Sequence, residues 1–373
     1  MGINTCRSLP RSRFLLLCST LLLAVPFIQA FPVNPSLTRS VTNYNSRTSS
    51  ESFRQKFTTS FASSQEPPLA SVAASPDPTD PTTIHTISMK STTKECFRGQ
   101  TVLLTGASGG LGRSLALSLA EAGAGTLLLT ARRKEALEQV AAECKSLSST
   151  IKIVVLTCDL SDPASVADLA VRALQACPTG IDVLVNNGGV SSRSNFVDTD
   201  ISVDQKVMQI NFLAGAALAK AVVPGMIAKG AGGKIIWISS VQGLLAIPSR
   251  TSYAASKFAV QGYCDSLRAE LAVSNITVHV ISPGYIRTNL SLSAITGDGT
   301  AHGKIDAATA KGADPVDVAV ATLDSVAANQ AELIVAADFS AKIAMWLRLL
   351  FPGLLRYLLV KRFKKSLAKE KSD

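Results

Sequence analysis

The stretch TGASGGLG, Thr105–Gly112, stands between the apolar run TVLL (Thr101–Leu104) and a helical pattern over Leu111–Ala122. A strand that runs through glycines into a helix has a specific use. Gly106 lets the turn tighten, Gly110 lets backbone amides approach a bound group, and Gly112 lets the helix pack close against the strand. The partial positive charge of the helix N-terminus favours a pyrophosphate there. The strand before and the helix after are what turn a weak glycine spacing into an expected dinucleotide site.

The same alternation continues outward. Strands are expected at Thr126–Thr130, Ile153–Thr157, Val183–Val185, Lys234–Ile238, Thr277–Ile281 and Glu332–Val335, and helices at Lys134–Leu147, Pro163–Ala176, Asp204–Lys229, Thr251–Ser274 and Val316–Ala328. Several strands are apolar nearly throughout, as in a parallel sheet covered on both faces. The reading is a single α/β domain over 96–338, a doubly wound, mostly parallel seven-stranded sheet of the Rossmann kind.

Chemistry-bearing residues cluster at the expected strand ends. The second strand ends in TARRKEALE, with Arg132 and Arg133 side by side where an acid would suit an unphosphorylated ribose. Arginine suits a 2′-phosphate, so NADP(H) is expected, with Arg132 the main contact; Arg133 could equally begin a solvated helix. Asp159 follows the third strand and either meets the adenine edge or caps the next helix. Asn186–Gly189 (NNGG) follows the fourth. Asn211 lies mid-helix, where asparagine is a poor helix former; it either holds a water or bonds backbone as a buried amide. Ser239 and Ser240 end the fifth strand and must point to opposite sides, one of them toward the crevice. In SYAASKFA (Ser252–Ala259), Tyr253 and Lys257 stack at i and i+4 on one helical face, where an ammonium lowers a phenol's pKa. The plain alternative is two surface residues in register. Pro283, Gly284 and Thr288 follow the sixth strand.

Together, TGASGGLG, NNGG, ISSVQG, YAASK and SPGYIRTNL resemble the short-chain dehydrogenase/reductase family over about residues 99–338. The resemblance implies catalytic roles for Asn211, Ser240, Tyr253 and Lys257. It implies cofactor contacts at Gly106, Ser108, Gly110, Leu111, Gly112, Arg132, Arg133, Asp159, Leu160, Asn186, Gly188, Pro283, Gly284, Ile286 and Thr288, with Tyr253 and Lys257 also touching the cofactor. The resemblance further implies that Pro283, Gly284 and Thr288 cover a nicotinamide and that Tyr285–Gly312 is a mobile substrate loop. Gly188 departs from the family's usual alanine. RAEL, ISPGYIRTNLSLSAITGDGT and a basic apolar tail look like the family's member 7B group, which implies reduction of 1-acyl- or 1-alkyl-dihydroxyacetone phosphate. The expected activity is NADPH-dependent reduction of a small-molecule ketone. Two alternatives stand beside it, a plastid 3-oxoacyl-carrier-protein reductase and a non-catalytic NADP sensor or scaffold.

Composition bounds the partners. The 373 residues carry a formal charge of +10. Seven Lys/Arg against one acid lie in residues 1–60 and nine against two in 342–373, which leaves 61–341 near −3. That balance argues against a nucleic-acid surface on the body. Seven cysteines without a C-x-x-C pair and three histidines form neither a disulfide framework nor a metal pattern. Arg7, Arg11 and Arg13 before the apolar run Phe14–Ile28 predict a signal peptide over 1–30, with an uncleaved anchor as the alternative. Residues 31–64, rich in Ser, Thr and Arg, read as a transit peptide, and proline-rich 65–95 as a disordered linker. Signal plus transit segment resembles the bipartite leaders of algae with complex plastids; the endoplasmic reticulum membrane is the alternative destination. In the tail, 339–373, Ile343, Trp346, Leu347, Leu350 and Phe351 share one helical face ahead of KRFKK. This predicts a helix lying on a membrane surface, or else one packed on its own domain or on a second copy in a homodimer or homotetramer.

Overall fold

The computed structural model describes residues 89–370, so the leader, the transit-like segment and most of the linker lie outside the described residues. The linker's last residues are corrected: Ser91–Phe97 forms helix α1. Thr93 and Phe97 are fully buried, and the Thr93 hydroxyl donates to Asp324. The folded body therefore begins near residue 91.

Seven strands follow, β1 (Thr101–Thr105), β2 (Thr126–Ala131), β3 (Lys152–Thr157), β4 (Val183–Asn186), β5 (Gly233–Ile238), β6 (Ile276–Pro283) and β7 (Glu332–Val335). They form one sheet in the order β3-β2-β1-β4-β5-β6-β7, every pair parallel. The helices between them are α2 (Gly110–Glu121), α3 (Lys134–Leu147), α4 (Pro163–Ala176), α5 (Ile201–Met208), α6 (Ala214–Lys229), α7 (Thr251–Leu271), the short α8 (Ala307–Ala310) and α9 (Pro315–Ala327). The tail adds α10 (Phe339–Leu350) and α11 (Pro352–Glu370).

Side chains alternate across each strand with period two, and the two cores follow that alternation. Val102, Leu104, Leu127, Leu129, Val183 and Val185 pack under α2, α3 and α9. Leu103, Leu128, Leu184, Ile235 and Trp237 pack under α4, α6 and α7. Trp237, 1% exposed, meets Phe212 and Tyr263 at centroid distances of 6.4 and 6.0 Å. Burying both faces makes an apolar strand stable without a polar side, which is why these strands read as unbroken apolar runs.

The long helix expected over 204–229 is interrupted. Between α5 and α6, Gln209–Leu213 forms a π-helical turn centred on Asn211. Among the described residues, Ile201–Lys229 is also the one stretch long and apolar enough to cross a membrane, but it packs in the body around Leu218, Val222 and Met226. Chain order reverses between β1 and β4, which opens a crevice at the strand carboxyl ends.

Candidate active site

At the end of β1 the chain turns through Gly106 at φ +67°, a left-handed conformation that glycine adopts without strain. A methyl group on Gly112 would stand 2.0 Å from the Gly106 carbonyl oxygen, so α2 can seat against the turn only with glycine there. Helix α2 starts after Gly109 with no side-chain cap and no acid in its first turn, which leaves its first amides and their partial positive charge for an anion. Thr288 closes over this turn, with its Cγ2 3.1 Å from where a Gly110 methyl would sit. Gly284, beyond Pro283, donates its N–H to Val335 O at 2.8 Å, and Ile286 pairs with Ala313.

Asn187, which the sequence reading passed over, ties the turn together. Its Nδ2 donates to Thr105 O at 2.9 Å and Gly106 O at 3.2 Å, and its own N–H donates to Thr105 Oγ1. Asn186 is turned the other way, its Nδ2 toward Gly215 O at 3.4 Å. Alternation at the strand end was the available signal: adjacent asparagines must face opposite sides. At Gly188, an alanine methyl would lie 2.4 Å from Leu160 Cδ1. Leu160 thus fills the space that the family's usual alanine takes, and the two residues fit as a pair.

Arg132 and Arg133 are exposed just past β2, and neither has an ion-pair partner among the described residues. Arg133 is the N-cap residue of α3, with no cap hydrogen bond from its side chain. Asp159 does not cap α4; Asp162 does, accepting from Ala164 N and Ser165 N. The Asp159 carboxylate accepts from Ser161 N and Ser161 Oγ. Burial pushes its pKa up, but those bonds and the charges of Arg132 and Lys206 outweigh this and hold it below the usual range.

Helix α7 brings Tyr253 and Lys257, two of the expected site residues, together. Tyr253, 6% exposed, and Lys257, 4% exposed, lie one turn apart, with the Lys257 Nζ 5.7 Å from the phenol centroid. Nζ donates to Ile238 O at 2.9 Å. Ser240 accepts from Gln242 N and stands beside the phenol, where its hydrogen bond favours the phenolate. Ser239 faces away, toward Lys257 O and Gln261, as alternation predicts.

Two expectations change here. Burial raises the Tyr253 pKa, and the cations that oppose this are Arg250 and Arg193, not Lys257. Burial also lowers the Lys257 pKa to about 8. Asn211 is the buried amide rather than a residue open to water. Its Oδ1 accepts from Val190 N at 2.8 Å, and its Nδ2 donates to Val190 O and Ser256 Oγ, both at 2.9 Å. It is a positioning residue, holding the loop after β4 to α7 one residue before Lys257. Within the 285–312 segment, Ile295 pairs with Ser192 and Ala301, and Arg193 N donates to Ile295 O.

A crevice with an open, glycine-lined helix start on one side and a buried Ser, Tyr and Lys on the other defines a class of nucleotide-dependent oxidoreductase. The chain belongs to the short-chain dehydrogenase/reductase family: the profile described as short chain dehydrogenase matches residues 100–297. It is similar to the dehydrogenase/reductase SDR family protein 7-like of Anopheles gambiae, at 45% identity over 72% of this chain and 84% of that one. It is also similar to dehydrogenase/reductase SDR family member 7B of Mus musculus, at 42% identity over 73% and 84%. Among solved structures, a short-chain dehydrogenase from Sphingobium yanoikuyae in complex with NADPH shares 28% identity over 69% of this chain and 95% of that one, with a TM-score of 0.57. A Burkholderia phymatum short-chain dehydrogenase/reductase in complex with NAD, 22% identical with a TM-score of 0.60 over the same shares, shows the same fold.

Proposed function

We propose that this oxidoreductase is an NADPH-dependent carbonyl reductase acting at a membrane surface on a lipid-type ketone, such as a 1-acyl- or 1-alkyl-dihydroxyacetone phosphate. The observation that carries this reading is the buried Tyr253 beside Ser240. A phenol is neutral at pH 7 and so can give a proton to a carbonyl oxygen.

Residues Gly106–Gly112, Asp159, Thr288 and the start of α2 fit a dinucleotide, and its nicotinamide supplies the hydride when bound. The protein supplies the rest. Tyr253 gives its proton to the carbonyl oxygen as negative charge develops there. Ser240 hydrogen-bonds the same oxygen. Lys257, anchored on Ile238 O, would hold the nicotinamide ribose. Asn211 keeps α7 in register with the loop after β4.

Arg132, which has no ion-pair partner among the described residues, supports NADPH over NADH, as does the NADPH held by the Sphingobium relative. Arg132→Asp should raise the KM for NADPH by roughly 10- to 100-fold while lowering that for NADH, since a charge-assisted phosphate contact is replaced by repulsion. Steady-state kinetics with both cofactors on a panel of ketones checks this. An unchanged NADPH/NADH ratio would remove the cofactor assignment.

The membrane reading rests on the tail. Phe339, Trp346, Leu349, Leu350, Phe351, Leu354 and Tyr357 are each half or more exposed. The tail also borders the active-site side of the body. The Arg348 guanidinium lies 4.3 Å from the Phe258 ring centroid and donates to Leu244 O at 2.6 Å. An apolar groove of about 270 Å³ between Pro248 and Pro352, Leu355, Leu359 and Phe363 suits a hydrocarbon chain. Full-length protein should float with vesicles containing anionic lipid and a chain ending at Ala337 should not, because basic residues near such a surface contribute about 1 kcal/mol each. Equal flotation of the two would end the membrane assignment. A leader directing the chain to a plastid belongs to the same proposal, and fluorescence microscopy of a tagged chain checks it.

A further inference from the structure

Three side chains that belong to no motif meet at the start of α7, the helix that carries Tyr253. Arg193, in the loop between β4 and α5, places Nε 3.0 Å and Nη2 2.6 Å from Asp306 Oδ2. Arg250, three residues before Tyr253, places Nη2 3.1 Å from the same oxygen. Their side chains are only 12% and 13% exposed, and that of Asp306 22%. Two guanidiniums therefore share one carboxylate, and one positive charge in a nearly buried place is left over. Burying an uncompensated charge is costly, and a single arginine would suffice to pin Asp306 and the loop that carries it.

The two arginines differ in what they have left to give. Arg193 is spent: beyond Asp306, its Nη1 donates to Ser191 Oγ and Ser192 O. Arg250 gives one of its five N–H groups to Asp306, and the others have no partner among the described residues. Ser192, next to Arg193, accepts from Tyr253 N at 3.3 Å, and both guanidiniums act electrostatically on Tyr253. Burial and the neighbouring Arg193 lower the Arg250 pKa, a cost that an incoming anion would relieve.

We infer that Arg250, backed by Arg193, is a specificity determinant that binds an oxyanion, a phosphate monoester or a carboxylate, carried by the substrate close to its carbonyl. Guanidinium is the side chain best matched to either group, through paired N–H donors. The inference rests on the carbonyl-reductase reading but not on any particular ketone.

The test compares ketones that differ only in charge: a 1-acyl-dihydroxyacetone phosphate against its dephosphorylated counterpart, and a 3-oxo fatty acid against its methyl ester. Wild type should favour the anionic member in kcat/KM by on the order of 100-fold, mainly through KM. The pair with the larger ratio identifies phosphate or carboxylate as the anion. Arg250→Gln should bring that ratio close to one, and Arg250→Lys should keep part of it. A purely structural clamp would lower both members alike and leave the ratio intact; that outcome, or a wild type indifferent to charge, overturns the inference. Should no ketone be reduced at all, the carbonyl-reductase reading fails, and a second measurement still decides this one. With NADPH saturating, inorganic phosphate should raise the Tm of wild type and not that of Arg250→Gln. Equal shifts, or none, refute the site.

Discussion

Replacing Tyr253 by phenylalanine should lower kcat by roughly 100- to 10,000-fold, the usual contribution of a positioned general acid. The substitution removes one oxygen and leaves the ring that fills the space beside α7, so packing is kept. Burial disfavours the charged phenolate and the neutral phenol has Ser240 beside it, so no stabilising charge is lost from the fold. NADPH binding, measured by fluorescence titration, should remain. The reductive rate of wild type should fall as pH rises through the raised Tyr253 pKa, because the donor is then ionised. A phenylalanine variant that keeps its turnover would mean that the proton comes from elsewhere and that the phenol is only a wall of the pocket.

Lys257→Met should be at least as stable as wild type at pH 7 while losing turnover. An ammonium 4% exposed, with one carbonyl partner, is held at an energetic cost. Its pKa of about 8 lies below the ordinary lysine value of 10.5, so between these the unfolded chain binds more protons than the folded one. Wild-type stability from this group therefore rises with pH across that window, by about 3 kcal/mol in all, and is at its lowest below pH 8. The methionine variant has no such slope. It does leave Ile238 O unpaired, a loss of about 1–3 kcal/mol, which sets its margin over wild type at pH 7 near zero or slightly positive. Urea unfolding of both proteins at pH 7 and pH 9.5 measures the difference, which should move in favour of wild type at the higher pH. Parallel pH dependences would show that Lys257 is neutral, or freely hydrated, in the folded chain.

Much of this fold was legible because its elements are locally consistent. The helices Lys134–Leu147 and Pro163–Ala176 start and stop where the sequence reading places them. The second carries its own punctuation, Asp162 as cap and Pro163 in the first turn. All seven strands were visible as short runs rich in apolar residues, and central ones such as β1 and β4, covered on both faces, need no polar side. What escaped depends on contacts far away in the chain. Helix α1, STTKECF, has neither a side-chain cap nor an acid in its first turn; it is held by burying Thr93 and Phe97 and by Asp324, more than 200 residues on. The π-turn at Gln209–Leu213 looks helical in any local window and differs only because Asn211 bonds to Val190 and Ser256. Ser240, Tyr253 and Lys257 were singled out by the family resemblance, with the i, i+4 spacing of Tyr253 and Lys257 as its local signal. Arg193, Arg250 and Asp306 were not, because isolated charged residues in loops resemble solvated surface until the fold collects them.

The chain has two tryptophans, and their surroundings could hardly differ more. Trp237 is sealed in the core at 1% exposure, while Trp346 stands on α10 at 66%. Intrinsic emission should accordingly be a sum of two bands, a blue one from the indole in the dry interior and a red one from the indole in water. Transfer of the tail into lipid would blue-shift only the second band and leave the first untouched. Acrylamide quenching should likewise resolve two populations, so the unlabelled protein is its own optical probe of what its last two helices are touching.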